Sequence, residues 1–181
     1  MPSPATHHRH DGDGWVECTF GGAAHRHWGL YGAAGLLLAR GAPGGTTTDA
    51  ALAWDLVLQH RALWSHHGGT WGIPGGALAA GEDAVAGALR ESTEEAGIAA
   101  GQVRVVGRHV LDHGVWRYTT VLAVAADGAD VVPAVTDPES LAVQWVPAQG
   151  VDRLPLHPAF AAALPGLLSA LDDVRRTRSP S

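Results

Sequence analysis

Between Gly75 and Ile98 the chain reads GGALAAGEDAVAGALRESTEEAGI, and the three carboxylates near the end of this stretch constrain the fold more than any other feature. From Asp83 to Ala96 there is no proline. Ala84, Val85, Ala88, Leu89, Ser92 and Ala96 fall within roughly 140° of one another on a wheel of about 100° per residue, which predicts a helix with that face toward the core. Asp83 is placed to cap its start, and Gly97 to end it in the left-handed conformation with Ile98 as the following apolar contact. Gly87, in mid-helix, costs about 1 kcal/mol relative to alanine and predicts the close approach of a neighbouring backbone.

Glu91, Glu94 and Glu95 lie at i, i+3 and i+4, on one side of the last turn and a half. Like charges at these spacings repel, and the negative end of the helix dipole disfavours them further. Something positive has to compensate. A hard divalent cation such as Mg²⁺ or Mn²⁺, bound through carboxylate oxygens and water, supplies the most charge in the least space. Arg90 can orient one carboxylate, with Glu82 at the helix start as its partner.

The spacing Gly76, five residues, Glu82, seven residues, Arg90-Glu91, two residues, Glu94-Glu95, one residue, Gly97-Ile98 resembles the Nudix box. Eight fixed positions at fixed spacing are far more specific than a lone glycine-rich loop. The one departure is Ser92, where the family carries a bulkier apolar residue; it lies on the core face and bears on packing rather than chemistry.

With 181 residues in one continuous pattern, the chain reads as one domain with tails, large enough to bury roughly 70% of its unfolded surface. Residues 1–24 are polar and rich in Gly, His and Pro, and read as a flexible arm; 25–172 read as the domain and 173–181 as a polar tail. A single cysteine, Cys18, makes no internal disulfide or cysteine-based zinc site and fits a reducing cytoplasm. No apolar run approaches the ~18 residues of a membrane span, and the first residues lack the pattern of a signal peptide, so a cytoplasmic protein without membrane contact is expected. The formal net charge of −6 argues against sequence-blind binding to a nucleic acid polymer. His7, His8, His10, His25, His27, His60, His66 and His67 read as solvated arm and loop residues, since no pair is set on a regular element at ligand spacing.

Residues 30–39 (LYGAAGLLLA) read as a buried strand, followed by a loop and a second strand at 53–59. Residues 103–112 and 115–125 form a hairpin pattern around His113-Gly114, and residues 141–146 alternate as a further strand. A helical period over 158–171 is broken by Pro165. This order predicts an α/β layered fold, a mixed β-sheet between helices, and the resemblance implies the same α/β/α sandwich across 28–172. Arg61, leaving the second strand, suits a bidentate phosphate contact, with a solvated surface arginine as the alternative. Trp64 and Trp71 are candidates for stacking a base, with core packing as the alternative.

The resemblance further implies Mg²⁺-dependent (or Mn²⁺-dependent) hydrolysis of a nucleoside diphosphate linked to another group. Glu91 and Glu95 are then the principal metal ligands, Glu94 a further one partly through water, and the Gly76 carbonyl a contributor; Glu82 and Gly97 keep the box in shape. Glu91 is the first choice of general base. Glu139 resembles in position the extra acidic residue that some members use as base or ligand, with an ordinary acidic loop residue as the alternative. By elimination the substrate is an ordinary or oxidised (deoxy)nucleoside triphosphate; ADP-ribose, nucleotide sugars and dinucleoside polyphosphates are the alternatives, and Tyr118, somewhat too far along the chain, is a weak candidate for a polyphosphate mark. A non-catalytic nucleotide-sensing module is the alternative of another class, and a homodimer is the family-level expectation.

Overall fold

The computed structural model describes residues 10–41 and 54–178. The loop expected after the first buried strand, and His7 and His8, lie outside these residues.

Strand β3 (Ala33–Gly41) is the spine of the sheet. Its first seven residues are all buried, as a near-continuous apolar run requires when both faces of a strand are covered. It pairs in parallel with β8 (Arg117–Ala125), from Ala33↔Tyr118 to Ala39↔Val124. Its other edge is shared. The far end pairs antiparallel with β4 (Trp54–Arg61), and the first three residues pair antiparallel with β6 (Gly75–Ala77), Gly35 opposite Gly75 and Ala34 opposite Gly76. β5 (Trp71–Gly72) and β9 (Ser140–Pro147) add to β4, and β7 (Val103–Asp112) pairs with β8 as the predicted hairpin.

Alternation along β3 divides the core in two. Leu37 and Ala39 join Leu56, Leu58, Leu122 and Val124 under α2 (Pro158–Arg178), which brings Phe160, Leu164, Leu167 and Leu171. Leu36 and Leu38 join Val57, Val121 and Ala123 under α1 (Ala84–Ala96), which brings Ala88 and Ala96. At about 1.5–3 kcal/mol for each fully buried leucine, these two layers dominate the folding energy. The sheet between helices is the α/β/α sandwich expected.

α1 begins and ends as its sequence predicts. The Asp83 carboxylate accepts from the Val85 amide at 2.9 Å, and Gly97 has φ +66°, with its own amide donating to Thr93 O and that of Ile98 to Ser92 O. Ser92 is fully buried, and its hydroxyl donates to Leu89 O, so the atypical box residue leaves no unpaired polar group. The close approach at Gly87 comes from a side chain rather than a backbone: a Cβ there would lie 2.3 Å from Leu78 Cδ2.

Three expectations are corrected. Residues 15–24, assigned to a flexible arm, contain β1 (Trp15–Phe20) and the start of β2 (Ala23–Trp28), a two-stranded sheet of its own. Its turn residues Gly21 and Gly22 both have positive φ, which suits the twist of a two-residue hairpin loop. Pro165 does not break α2: it and Gly166 face solvent, where the carbonyl it leaves unpaired meets water, while Leu164 and Leu167 hold the helix to the sheet. The polar stretch after 172 continues this helix to Arg178, and at its root the buried Asp172 accepts from Trp54 Nε1 at 3.1 Å. Among the described residues, no helix is long and apolar enough to cross a membrane.

Candidate active site

β6 and α1 lie against one another where the edge of β3 is shared, and glycines make that contact possible. A Cβ on Gly76 would sit 2.6 Å from Glu91 Oε1 and 2.8 Å from Oε2, so the carboxylate occupies the space a larger residue would fill. The Gly75 amide donates to Glu95 Oε2 at 2.8 Å. Two acids of the helix are thereby drawn onto the backbone of one short strand.

Their burial is unequal. Glu95 is 5% exposed and the Glu91 side chain 12%, whereas that of Glu94 is 46% exposed. Burial pushes the Glu91 carboxyl above the usual carboxylate range, against the pull of Arg90. Burial also pushes Glu95 well above it; the charge of Glu91 adds to the effect, the Gly75 amide opposes it, and Asp137 and Glu139 raise it further. Buried, charge-bearing oxygens that repel one another are poised for a cation.

Arg90 organises the outer side of the cluster. Its Nε and Nη2 donate to the two oxygens of Glu82 at 2.9 Å each, a bidentate fork, and Nη2 also donates to Ala77 O at 3.0 Å. Nη1 donates to Glu91 at 2.7 Å and Glu94 at 3.3 Å. The Glu82 carboxyl is held below its usual range by this arginine first, and the Arg90 guanidinium is held above its own by Glu82. The three acids do not close into one compact set: among the described residues, the groups of three whose ligand atoms all lie within 4.8 Å do not include them. Mutual repulsion and the grip of Arg90 on Glu94 account for this. Glu91 and Glu95, both drawn against the glycine strand, offer hard carboxylate oxygens, a donor type that fits Mg²⁺ or Mn²⁺.

The loop between β8 and β9 completes the surroundings. Ala134 N donates to Ala96 O, and the Thr136 hydroxyl donates to Glu94 O, which lays the loop across the end of α1. Asp137 then accepts from the Glu139 amide and from the Ser140 hydroxyl, and Ser140 in turn accepts from Gln59 Nε2 at 2.8 Å. The Glu139 carbonyl accepts from Ala62 N at 2.7 Å. Glu139 thus stands in the electrostatic surroundings of Glu95, brought there by a loop from elsewhere in the chain.

Arg61 ends β4 beside Ser140, with Nε donating to His66 O at 3.1 Å. Trp71 stacks on His60, ring centroids 4.7 Å apart at 4°, and packs against the core beneath α2; Trp64 is exposed on the loop before it. Tyr118, from sequence only a weak candidate for a polyphosphate mark, has its hydroxyl over Gly35, where a Cβ would come within 2.2 Å of it. Burial raises its pKa, with the charge of Glu95 the next contributor. The parallel pairing Ala33↔Tyr118 puts it there, a signal visible only once the strand order is known.

The histidines also depart from expectation. His25 and His27 lie on β2, and two groups of three potential ligands form among the described residues: Cys18, His27 and His113, and His66, His67 and His157. Burial lowers the pKa of His27, with His113 the next cause, and lowers that of His157 to about 4, with His67 next.

Comparison with known proteins agrees with this geometry. The family model described as the NUDIX domain matches residues 38–167. The crystal structure of a Nudix hydrolase from M. smegmatis, RenU, superposes with a TM-score of 0.73 and 41% sequence identity, covering 94% of this chain and 99% of that one. A Mycobacterium tuberculosis protein named "Putative 8-oxo-dGTP diphosphatase 3" is 46% identical over 168 residues, 90% of this chain and 71% of that protein. A Bifidobacterium longum protein, the "Nucleoside triphosphate pyrophosphatase/Nudix hydrolase fusion protein", is 47% identical over 164 residues, 90% of this chain; the chain spans only 32% of its length. With a glycine strand, an acid-bearing helix and an arginine fork in the order of the box, and a family match across most of its length, the chain belongs to the Nudix hydrolase family.

Proposed function

We propose that this Nudix hydrolase cleaves the pyrophosphate linkage of a (deoxy)nucleoside triphosphate, ordinary or oxidised, with Mg²⁺. The observation that carries the reading is the pair of buried carboxylates, Glu91 and Glu95, pressed onto Gly75 and Gly76. No structural need explains two repelling acids in that position, whereas a polyphosphate, itself strongly anionic, requires a cation held where it binds. Glu91, Glu95, Glu94 and the Gly76 carbonyl would hold it. When bound, such an ion neutralises phosphate charge and lowers the pKa of a coordinated water.

The chain's own residues do the rest. Arg90 fixes Glu91 in orientation while Glu82 holds the arginine still, so the carboxylate keeps its aim. A water oxygen bonds to one phosphorus, the bridging P–O bond breaks, and the water's proton passes to a carboxylate. Glu91 is our choice of base, because burial raises its proton affinity toward working pH; Glu139 is its competitor. We assign to Arg61 the contact with a phosphate beyond the acidic cluster. The name of the mycobacterial relative favours a nucleoside triphosphate, oxidised dGTP among them, over the alternatives.

The test is a panel of NTPs, dNTPs, 8-oxo-dGTP, ADP-ribose, nucleotide sugars and dinucleoside polyphosphates, with release of phosphate products followed in Mg²⁺. The expected outcome is highest kcat/KM on a triphosphate and loss of turnover on chelation. A clear preference for ADP-ribose, a nucleotide sugar or a dinucleoside polyphosphate would overturn the substrate assignment. Turnover of nothing on the panel would favour the sensing module.

A further inference from the structure

A second cluster lies away from the acidic helix, where the β1–β2 hairpin meets the turn between β7 and β8. Cys18 Sγ is 3.4 Å from His27 Nε2 and 3.7 Å from His113 Nδ1, and those two nitrogens are 2.9 Å apart. All three residues are half-buried. A tetrahedral Zn²⁺ with bonds of about 2.3 Å to sulfur and 2.0–2.1 Å to nitrogen places its S and N ligands about 3.6 Å apart and its N ligands about 3.4 Å apart. The two sulfur–nitrogen separations fall on either side of the tetrahedral value, and the two nitrogens stand about 0.5 Å closer than theirs, a gap that a small turn of either ring opens.

Both imidazoles are held by aromatic faces. The His27 ring stacks on Trp116 at 4.0 Å and 8°, and the His113 ring stacks on Phe20 at 4.2 Å and 9°. Each ring is therefore clamped flat with one nitrogen turned toward the sulfur. Orientation of this kind is what supporting residues supply around metal ligands. Three ligands from three segments converge, and Trp116 is itself tied to the root of the hairpin through its Nε1 donating to Gly29 O at 3.1 Å.

We propose that Cys18, His27 and His113 form a zinc-binding site, with its fourth position open to water, that staples the β1–β2 hairpin to the β7–β8 turn. Thiolate and imidazole select borderline and soft ions such as Zn²⁺, whereas Mg²⁺ and Mn²⁺ prefer the carboxylates of α1. The two sites therefore sort metals by chemistry, and the zinc site stands or falls independently of the nucleotide reaction. The hairpin forms a separate two-stranded sheet, so a cross-link to the main sheet has a mechanical purpose.

The test is titration of the chelator-treated, full-length protein with Co²⁺, followed by displacement with Zn²⁺. Because the chain has one cysteine, a thiolate-to-cobalt charge-transfer band reports Cys18 and nothing else. The expected result is such a band saturating at one equivalent and absent in C18S. H27Q and H113Q should each weaken binding by at least ~10-fold, as loss of ligation does, while H157Q, in the other histidine cluster, leaves it unchanged. Circular dichroism checks the fold of each variant, and one measurement needs no variant: stoichiometric Zn²⁺ should slow alkylation of Cys18 in the wild-type protein. Cobalt binding without the band, a band indifferent to H27Q and H113Q, or alkylation unaffected by Zn²⁺ would show a hydrogen-bonded trio and overturn the site.

Discussion

Replacing Glu95 by glutamine should make the metal-free protein more stable and the enzyme inactive. Glu95 is almost fully buried, accepts from the Gly75 amide, and feels the charges of Glu91, Asp137 and Glu139. At the ~6 Å separation of i, i+4 neighbours and an effective dielectric of about 20, repulsion from Glu91 alone is about 3 kcal/mol when both are ionised. Partial protonation and relaxation reduce this, while the glutamine oxygen still accepts from Gly75, so a net gain of about 1–3 kcal/mol is expected at pH 7.5. For a chain of this size that raises Tm by roughly 3–9 °C. The sign with pH follows from the raised pKa of Glu95. An acid that is harder to ionise when folded costs stability above its unfolded pKa, and that cost grows as pH rises toward the folded pKa. The advantage of E95Q should therefore be largest in neutral and alkaline buffer and shrink on acidification. Saturating Mg²⁺ should reverse the order, since a ligand that binds only the folded state stabilises the wild type by RT ln(1 + [L]/Kd). Thermal scans from pH 5 to 8.5, with and without Mg²⁺, beside a turnover assay, are the measurement. An E95Q protein less stable than wild type without metal at pH 7.5, or one that hydrolyses nucleotides at the parental rate, would refute the reasoning.

Other perturbations separate the parts of the site. Gly76→Ala forces a Cβ to within 2.6 Å of Glu91 Oε1, and should lower kcat by ~10-fold or more with the fold retained by circular dichroism. Arg90→Ala leaves Glu82 and Glu91 without their partner and should cost about 3–5 kcal/mol in denaturant unfolding; Arg90→Lys, which cannot form the fork to Glu82, should recover stability only in part. Glu139→Gln should lower kcat by ~10² or more if Glu139 is the base and by less than about tenfold if it is a neighbour, read from single-turnover rates in Mg²⁺. His157, whose pKa burial lowers to about 4, takes up its proton less readily when folded. Stability should therefore fall by on the order of 2 kcal/mol between pH 6.5 and pH 4 on its account, and H157Q should flatten that slope in pH-dependent unfolding.

What could be read from sequence was what is local in the chain. The caps at Asp83 and Gly97, the fork from Arg90 to Glu82 and the crowding of Glu91 with Glu95 all depend on contacts within a few helical turns, where spacing and geometry are interchangeable. The β1–β2 hairpin was missed for the opposite reason. One face of it is exposed and the other only half-buried, and the half-buried face carries Cys18, His25 and His27 beside Val16, so no apolar alternation marks it. The usable signal was Gly21-Gly22 between two six-residue runs bounded outside by Trp15 and Trp28, which pair with each other. Asp137 and Glu139, which raise the proton affinity of Glu95 from afar, and Tyr118, whose phenol feels Glu95, depend on the strand order: the two acids arrive with the loop into β9, the tyrosine through a parallel pairing that no hairpin signal announces. The acidic cluster is thus local in composition and non-local in energy. Spacing shows that three glutamates meet, but the loop over α1 and the glycine strand beneath it determine which two are buried and which one stays wet. Burial rather than position in the box is what raises the proton affinity of Glu91 and Glu95.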